Sequence, residues 1–165
     1  MVSDSKRRHV FISHHHRDDS HVEKLTNLLS RKGYDIRNSS IRAKPENAKR
    51  LAQNKVNPET IRRLLRMKIS WAGTTIVLIG KNTHSRAWVN WEIEQAHKQG
   101  KRIVGVFTRG GSNNDIPPNF EKYGSSLQAW NSDCIIEAID GTDNSFQNPD
   151  GSSRKATHSP TVITC

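Results

Sequence analysis

The chain has 165 residues, with 26 Lys and Arg against 16 Asp and Glu, a formal charge of +10. That length holds one core of ordinary size and leaves no room for a second, and the charge favours anionic small molecules or acidic partners. The N-terminal segment shows no signal-peptide hydrophobic region, no apolar run approaches the roughly 20 residues that span a bilayer, and the two cysteines, Cys134 and Cys165, offer neither metal-ligand spacing nor a plausible disulfide framework. The expectation is a soluble, cytoplasmic protein in a reducing compartment.

Residues 9–13 (HVFIS) have the apolar density of a central strand and run straight into the polar loop HHHRDD. Ser20 with Glu23 reads as a capping box. Val22, Leu25, Leu28 and Leu29 then recur at helical spacing up to Gly33, a C-cap. Residues 34–37 (YDIR) alternate as a short second strand. Residues 38–57 are polar and basic, too long for an ordinary connection between strand and helix.

Asn57, Pro58 and Glu59 read as N-cap, N1 and N2 of a helix whose apolar face is Ile61, Leu64, Leu65 and Ile69, with Arg62, Arg63 and Arg66 opposite. Next, TTIVLIG (residues 74–80) is a β-branched run suited to a strand covered on both faces. The following segment, WVNWEIEQAHKQG (residues 88–100), predicts a helix with Val89, Ile93 and Ala96 toward the sheet and Trp88 and Glu92 four apart on one face. RIVGVF (residues 102–107) is a further buried strand. A Gly, Asn and Pro-rich loop over residues 110–118 precedes a fifth strand at residues 127–130. Ser132 or Asp133 then caps a last helix through Ile135, Ile136 and Ile139.

Five strand–helix units with right-handed crossovers predict an α/β fold, a flavodoxin-like doubly wound parallel five-stranded sheet of strand order 2-1-3-4-5. The expected division is a domain over residues 1–141 and a polar tail or docking arm over residues 142–165, rich in Ser, Thr, Asn and Pro. In such a sheet the ligand crevice lies at the switch point between strands 1 and 3. That places Ser13 opposite the loop over residues 81–88, and makes Glu92 the carboxylate to question.

Three pieces taken together, HVFISHHHRDD at strand 1, the polar loop after strand 2 and SRAWVNWEI (residues 85–93) opening the third helix, resemble a TIR domain. Phe11, Ile12, Ser13, Asp18 and Asp19 match its strand 1 signature, and Ser85, Trp88 and Glu92 its helix signature. His14–His16 depart from the usual loop, and the segment after strand 2 lacks the compact glycine-containing loop of animal adaptor TIRs. Both departures look more like the TIR-like branch of bacterial anti-phage systems such as Thoeris. That resemblance implies cleavage of NAD as a substrate, with no cofactor, and release of an ADP-ribose-derived nucleotide signal, cyclic or not, that activates a separate effector protein. It also implies a phage-derived activator or assembly into a homo-oligomer.

The chemistry fits the residues. Nicotinamide leaves NAD as a neutral molecule, and a carboxylate such as Glu92 stabilises the oxocarbenium-like ribose left behind. Trp88 or Phe11 would wall the nicotinamide or ribose. Ser13, His14, Asn38 and Ser39 would contact ribose or phosphates, and Arg42 or Lys44 the pyrophosphate. On spacing alone, a Trp and a Glu four apart mark many amphipathic helices; only the adjoining Ser85, the preceding strand and the strand 1 match lift Glu92 above that. Trp91 reads as a packing residue.

A metal reading of His14–His16 is weak, because neighbours in an extended segment point in alternating directions and no Cys or paired carboxylate completes a site. Residues 42–68 carry nine basic and two acidic side chains, by default a solvated face. The alternative to an enzyme is a non-catalytic TIR-like interaction module that uses this surface. Nucleic acid is the weakest partner for it, and a membrane is not expected.

Overall fold

The computed structural model describes residues 9–15, 19–38 and 57–154. In chain order these residues form β1 (His9–Ser13), α1 (Asp19–Arg31), β2 (Asp35–Asn38), α2 (Pro58–Trp71), β3 (Thr74–Ile79), α3 (Ala87–Lys98), β4 (Arg102–Phe107), α4 (Pro118–Tyr123), β5 (Ser126–Gln128) and α5 (Ser132–Asp140). All neighbouring strands pair in parallel, in the order β2-β1-β3-β4-β5. This is the doubly wound α/β sheet expected from the sequence.

The alternation of side chains along each strand splits the core in two. Phe11, Val77, Ile79, Ile103 and Phe107 face the layer of α2, α3 and α4, packing on Ile61, Leu65, Ile69, Val89, Ile93 and Phe120. Val10, Ile12, Ile76, Leu78, Val104 and Val106 face α1 and α5, meeting Leu25, Leu29, Ile135 and Ala138. β3 is buried at every position, which is why it reads as an unbroken apolar run. Gly105 lies on the α4 side of β4. A Cβ there would stand 2.7 Å from the Phe120 ring and 2.9 Å from Leu127, so the missing side chain is what lets that ring seat on the sheet.

The sequence is right about some local devices and wrong about others. Asn57 does cap α2, its side chain accepting from the Glu59 amide, with Pro58 in the first turn. Leu64, however, is exposed; the buried stripe is Ile61, Leu65 and Ile69. The Ser20–Glu23 capping box is not formed as expected, because α1 already includes Ser20. α5 is capped by Asn131, which accepts from the amides of Asp133 and Cys134, and not by Ser132 or Asp133. The fifth strand is shorter and starts one residue earlier, and the short helix α4 goes unpredicted because Pro117 and Pro118 read as loop. Cys134 is disulfide-bonded. The cysteines therefore give no argument for a reducing compartment, against the sequence reading.

Residues 142–154 are docked along β5. Leu127 donates its amide to Ser145 O (3.1 Å) and accepts from the Gln147 amide (2.8 Å), while Phe146 is buried beside Phe120. The side chains of Ser126 and Gln128 both donate to Ser145 O. Arg102 donates to the carbonyls of Ala138 and Asp143, and Arg154 pairs with Glu121 at 2.8 Å. Burial holds the Arg102 guanidinium below its usual pKa, against the opposing charge of Asp143.

Candidate active site

Ser13 ends β1 in register with Val77 of β3. Because side chains alternate, Ser13 shares a face with Phe11, and that is the face covered by α3. On α3 the buried stripe is Val89, Glu92, Ile93 and Ala96, so a carboxylate occupies a position the helix geometry reserves for core. The two meet: Ser13 Oγ donates to Glu92 Oε1 at 2.7 Å, with both residues fully buried. A buried hydrogen bond of this length fixes the carboxyl group's orientation. His14 and His15 follow Ser13 directly and are also buried, His14 Nδ1 lying 3.1 Å from the His15 carbonyl oxygen.

The other residues singled out by sequence divide. Asn38 ends β2 opposite Ile12, half-buried, and its carbonyl accepts from Lys68 Nζ at 3.2 Å, so it reaches the same C-terminal edge of the sheet as Ser13. Phe11 is fully buried in the α2/α3 core, as Ser13, His14 and Glu92 are buried. Ser85 is exposed in a 3-10 turn over Thr83–Ser85, its hydroxyl donating to Asn82 O; it shapes the turn before α3. Ser39 and Arg42, with Lys44, lie outside the described residues.

Trp88 shares α3 with Glu92 but points elsewhere. It is half-buried, edge-on to Trp91 (centroids 5.8 Å apart), with the Arg62 guanidinium 5.6 Å above its ring. Arg66 stands similarly over Trp91 at 5.5 Å, and both arginines reach Glu59. Trp88, Trp91, Arg62 and Pro58 line an open groove of about 450 Å³ between α2 and α3. Among the described residues no group of three His, Cys, Asp or Glu is placed to hold a metal ion.

A residue the sequence reading missed holds the loop that delivers α3. Asp115 accepts from the Asn82 amide (3.0 Å) and from the Ser112 amide and hydroxyl, and stands 3.8 Å from His84. Burial pushes its pKa up, but the hydrogen bonds from Asn82 and Ser112, and then His84, outweigh that and leave it below the usual carboxylate value. A depressed folded pKa contributes stability above the unfolded value of about 3.9, and loses it as pH falls through the folded value. Asp115→Asn is therefore expected to lower the melting temperature at pH 7, with the gap to the parent closing as pH drops below about 4. Melting curves from pH 7 to pH 2 check this; a gap that is constant with pH contradicts it.

A doubly wound parallel sheet with a Ser-bound carboxylate buried between β1 and α3, beside the switch point, defines the class: a flavodoxin-like α/β domain with its candidate site where such sheets bind ligands. Over residues 11–113 the sequence matches the family described as Thoeris protein ThsB, TIR-like domain; this is more than half of the chain, which belongs to that family. No curated protein matches the chain. Among solved structures it is similar to the Clostridium botulinum CMP N-glycosidase BcmB, at 20% identity and a TM-score of 0.42, over 60% of this chain and 71% of that one. It is also similar to the TIR domains of the activated Roq1 resistosome that recognises the effector XopQ, at 22% identity and a TM-score of 0.43, over 60% of this chain and 56% of that one. No described helix is long and apolar enough to cross a membrane.

Proposed function

We propose that the protein cleaves the bond between nicotinamide and ribose in NAD and releases an ADP-ribose-derived product, linear or cyclic, that signals to a separate effector in anti-phage defence in the cytoplasm. Family membership supports the setting, and one observation carries the chemistry: the Glu92 carboxylate held at 2.7 Å by Ser13, buried at the C-terminal end of β1. Nicotinamide departs with the electron pair of the bond and becomes neutral, so it needs no strong acid. The ribose is left as an oxocarbenium-like cation, which a fixed carboxylate in a dry site stabilises far more than it would in water. Water attacking that cation, with loss of a proton, gives ADP-ribose; attack by an internal atom of the nucleotide gives a ring.

Ser13 acts as the residue that positions Glu92. His14 and Asn38 supply polar contacts to ribose or phosphate from neighbouring strand ends; Ser39, for ribose or phosphate, and Arg42, for the pyrophosphate, are assigned on the sequence resemblance alone. Glu92 has no exposed surface, so NAD must displace whatever covers it, which accords with a requirement for a phage-derived activator or for assembly. The test is chromatography of NAD incubated with the protein and an extract of phage-infected cells. Free nicotinamide and a new adenine nucleotide are expected. Unchanged NAD in every infected extract, combined with defence that survives Glu92→Gln but fails on charge reversal at Arg62, Arg63 and Arg66, would replace this reading with a non-catalytic interaction module built on the Trp88–Trp91 groove.

A further inference from the structure

A cavity of about 680 Å³ opens at the C-terminal ends of β4 and β5, against the first turns of α1, and neither Ser13, His14, Trp88 nor Glu92 lines it. Its volume lies within the range of small-molecule sites. Trp130, on the rim just after β5, is 38% exposed, an unusual state for so large an apolar ring. His21 meets the indole edge-on, with centroids 5.8 Å apart and planes at 69°, which braces the ring from one side. Burial, and then the Lys24 charge, keep the His21 imidazole below its usual pKa, so at neutral pH it adds a planar neutral ring to the wall.

Lys24 and Arg109 are the cations of the lining, both exposed, and neither forms an ion pair among the described residues. Beside them Gly111 presents bare backbone. A Cβ there would stand 2.2 Å from Ile79 O, so only glycine lets this turn pack on the end of β3. The carboxylate among the described lining residues is Asp150, locked by the amide and hydroxyl of Ser152 at 2.9 Å and 2.6 Å.

We propose that this cavity is a second ligand site, separate from Glu92, that binds a nucleotide anion with its base on Trp130 and its phosphates between Lys24 and Arg109. An exposed indole selects a flat aromatic ring and not an aliphatic chain. Two cations without a carboxylate partner among the described residues select phosphate. Asp150 accepts from an exocyclic amine or a ribose hydroxyl, a contact that neither inorganic phosphate nor a simple acidic peptide would use. The site does not depend on the NAD reading, since none of its residues takes part in that chemistry.

The test is isothermal titration of the full chain with ADP, alongside adenosine and inorganic phosphate, for the parent, Trp130→Ala and the double variant Lys24→Glu/Arg109→Glu. All three cavity side chains are exposed, and circular dichroism checks that each variant is folded. ADP is expected to bind the parent, and the two cavity variants are what place it at this site. Trp130→Ala should weaken it about tenfold and the double reversal at least about tenfold, and adenosine or phosphate alone should bind at least about tenfold more weakly than ADP. Any of three results overturns the proposal: no ADP binding at millimolar concentration, binding untouched by both cavity variants, or phosphate alone binding as tightly as ADP.

Discussion

Glu92→Gln is expected to reduce nicotinamide release by about 10²–10³-fold or more while leaving the protein folded, because the amide keeps the shape of the side chain and removes its charge. Gln still offers an oxygen to Ser13 Oγ, so the geometry of the pair survives and the effect falls on the bond-breaking step. The loss should appear in kcat with little change in KM, since the carboxylate interacts most strongly with the cation that exists only near the transition state. Ser13→Ala should cost less, about tenfold, because it frees the carboxylate to turn without discharging it. The same order of effects is not expected of a structural pair. There, Ser13→Ala and Glu92→Gln would change the melting temperature and leave per-molecule activity intact.

The second large effect is on stability. Phe11→Ala should destabilise the fold by about 3–5 kcal/mol, the range for deleting a fully buried aromatic ring. Phe11 has no exposed surface and packs within the core layer of α2 and α3. Urea unfolding measures it as a lowered midpoint at nearly constant slope. The conservative Phe11→Leu should recover most of the stability and all of the KM for NAD. A KM raised by Phe11→Leu in a fully folded protein would instead return this ring to the ligand wall suggested by its place near Ser13 in sequence.

That contrast shows where the sequence is informative. The strand order was legible because it rests on apolar runs and periodicity: an unbroken apolar β3, the apolar density of β1, and the stripe of Val89, Ile93 and Ala96 on α3. The meeting of Ser13 with Glu92 was legible in outline, since the switch point of a doubly wound sheet is fixed by topology. What the pattern could not tell is which side chains at that edge point inward. Phe11 and Ser13 have the same parity and are both fully buried, but Phe11, two residues deeper, packs among the α2 and α3 side chains while Ser13 meets Glu92. Trp88 and Glu92 are four apart, yet Trp88 turns to Trp91 and Arg62 while Glu92 turns to the sheet, because four residues carry a helix slightly past a full turn.

Other misses have local causes. Asn131 outcompetes Ser132 as a cap because it stands one residue earlier and reaches two amides at once. Between the two alternatives of tail and docking arm the sequence did not choose: the docking of residues 142–154 hangs on Phe146, a single aromatic in a polar run, and on side chains such as Gln128 and Arg102 whose partners are carbonyls. Asp115 was hidden for the same reason: its role is to accept hydrogen bonds from amides that are remote in sequence.

The most direct measurement of the central claim is a crystal structure of the Glu92→Gln variant with NAD bound. The account predicts the nicotinamide-bearing ribose within hydrogen-bond distance of the substituted side chain and of Ser13, at the C-terminal end of β1. NAD bound elsewhere, with Ser13 still holding the substituted side chain in a buried contact, would contradict it.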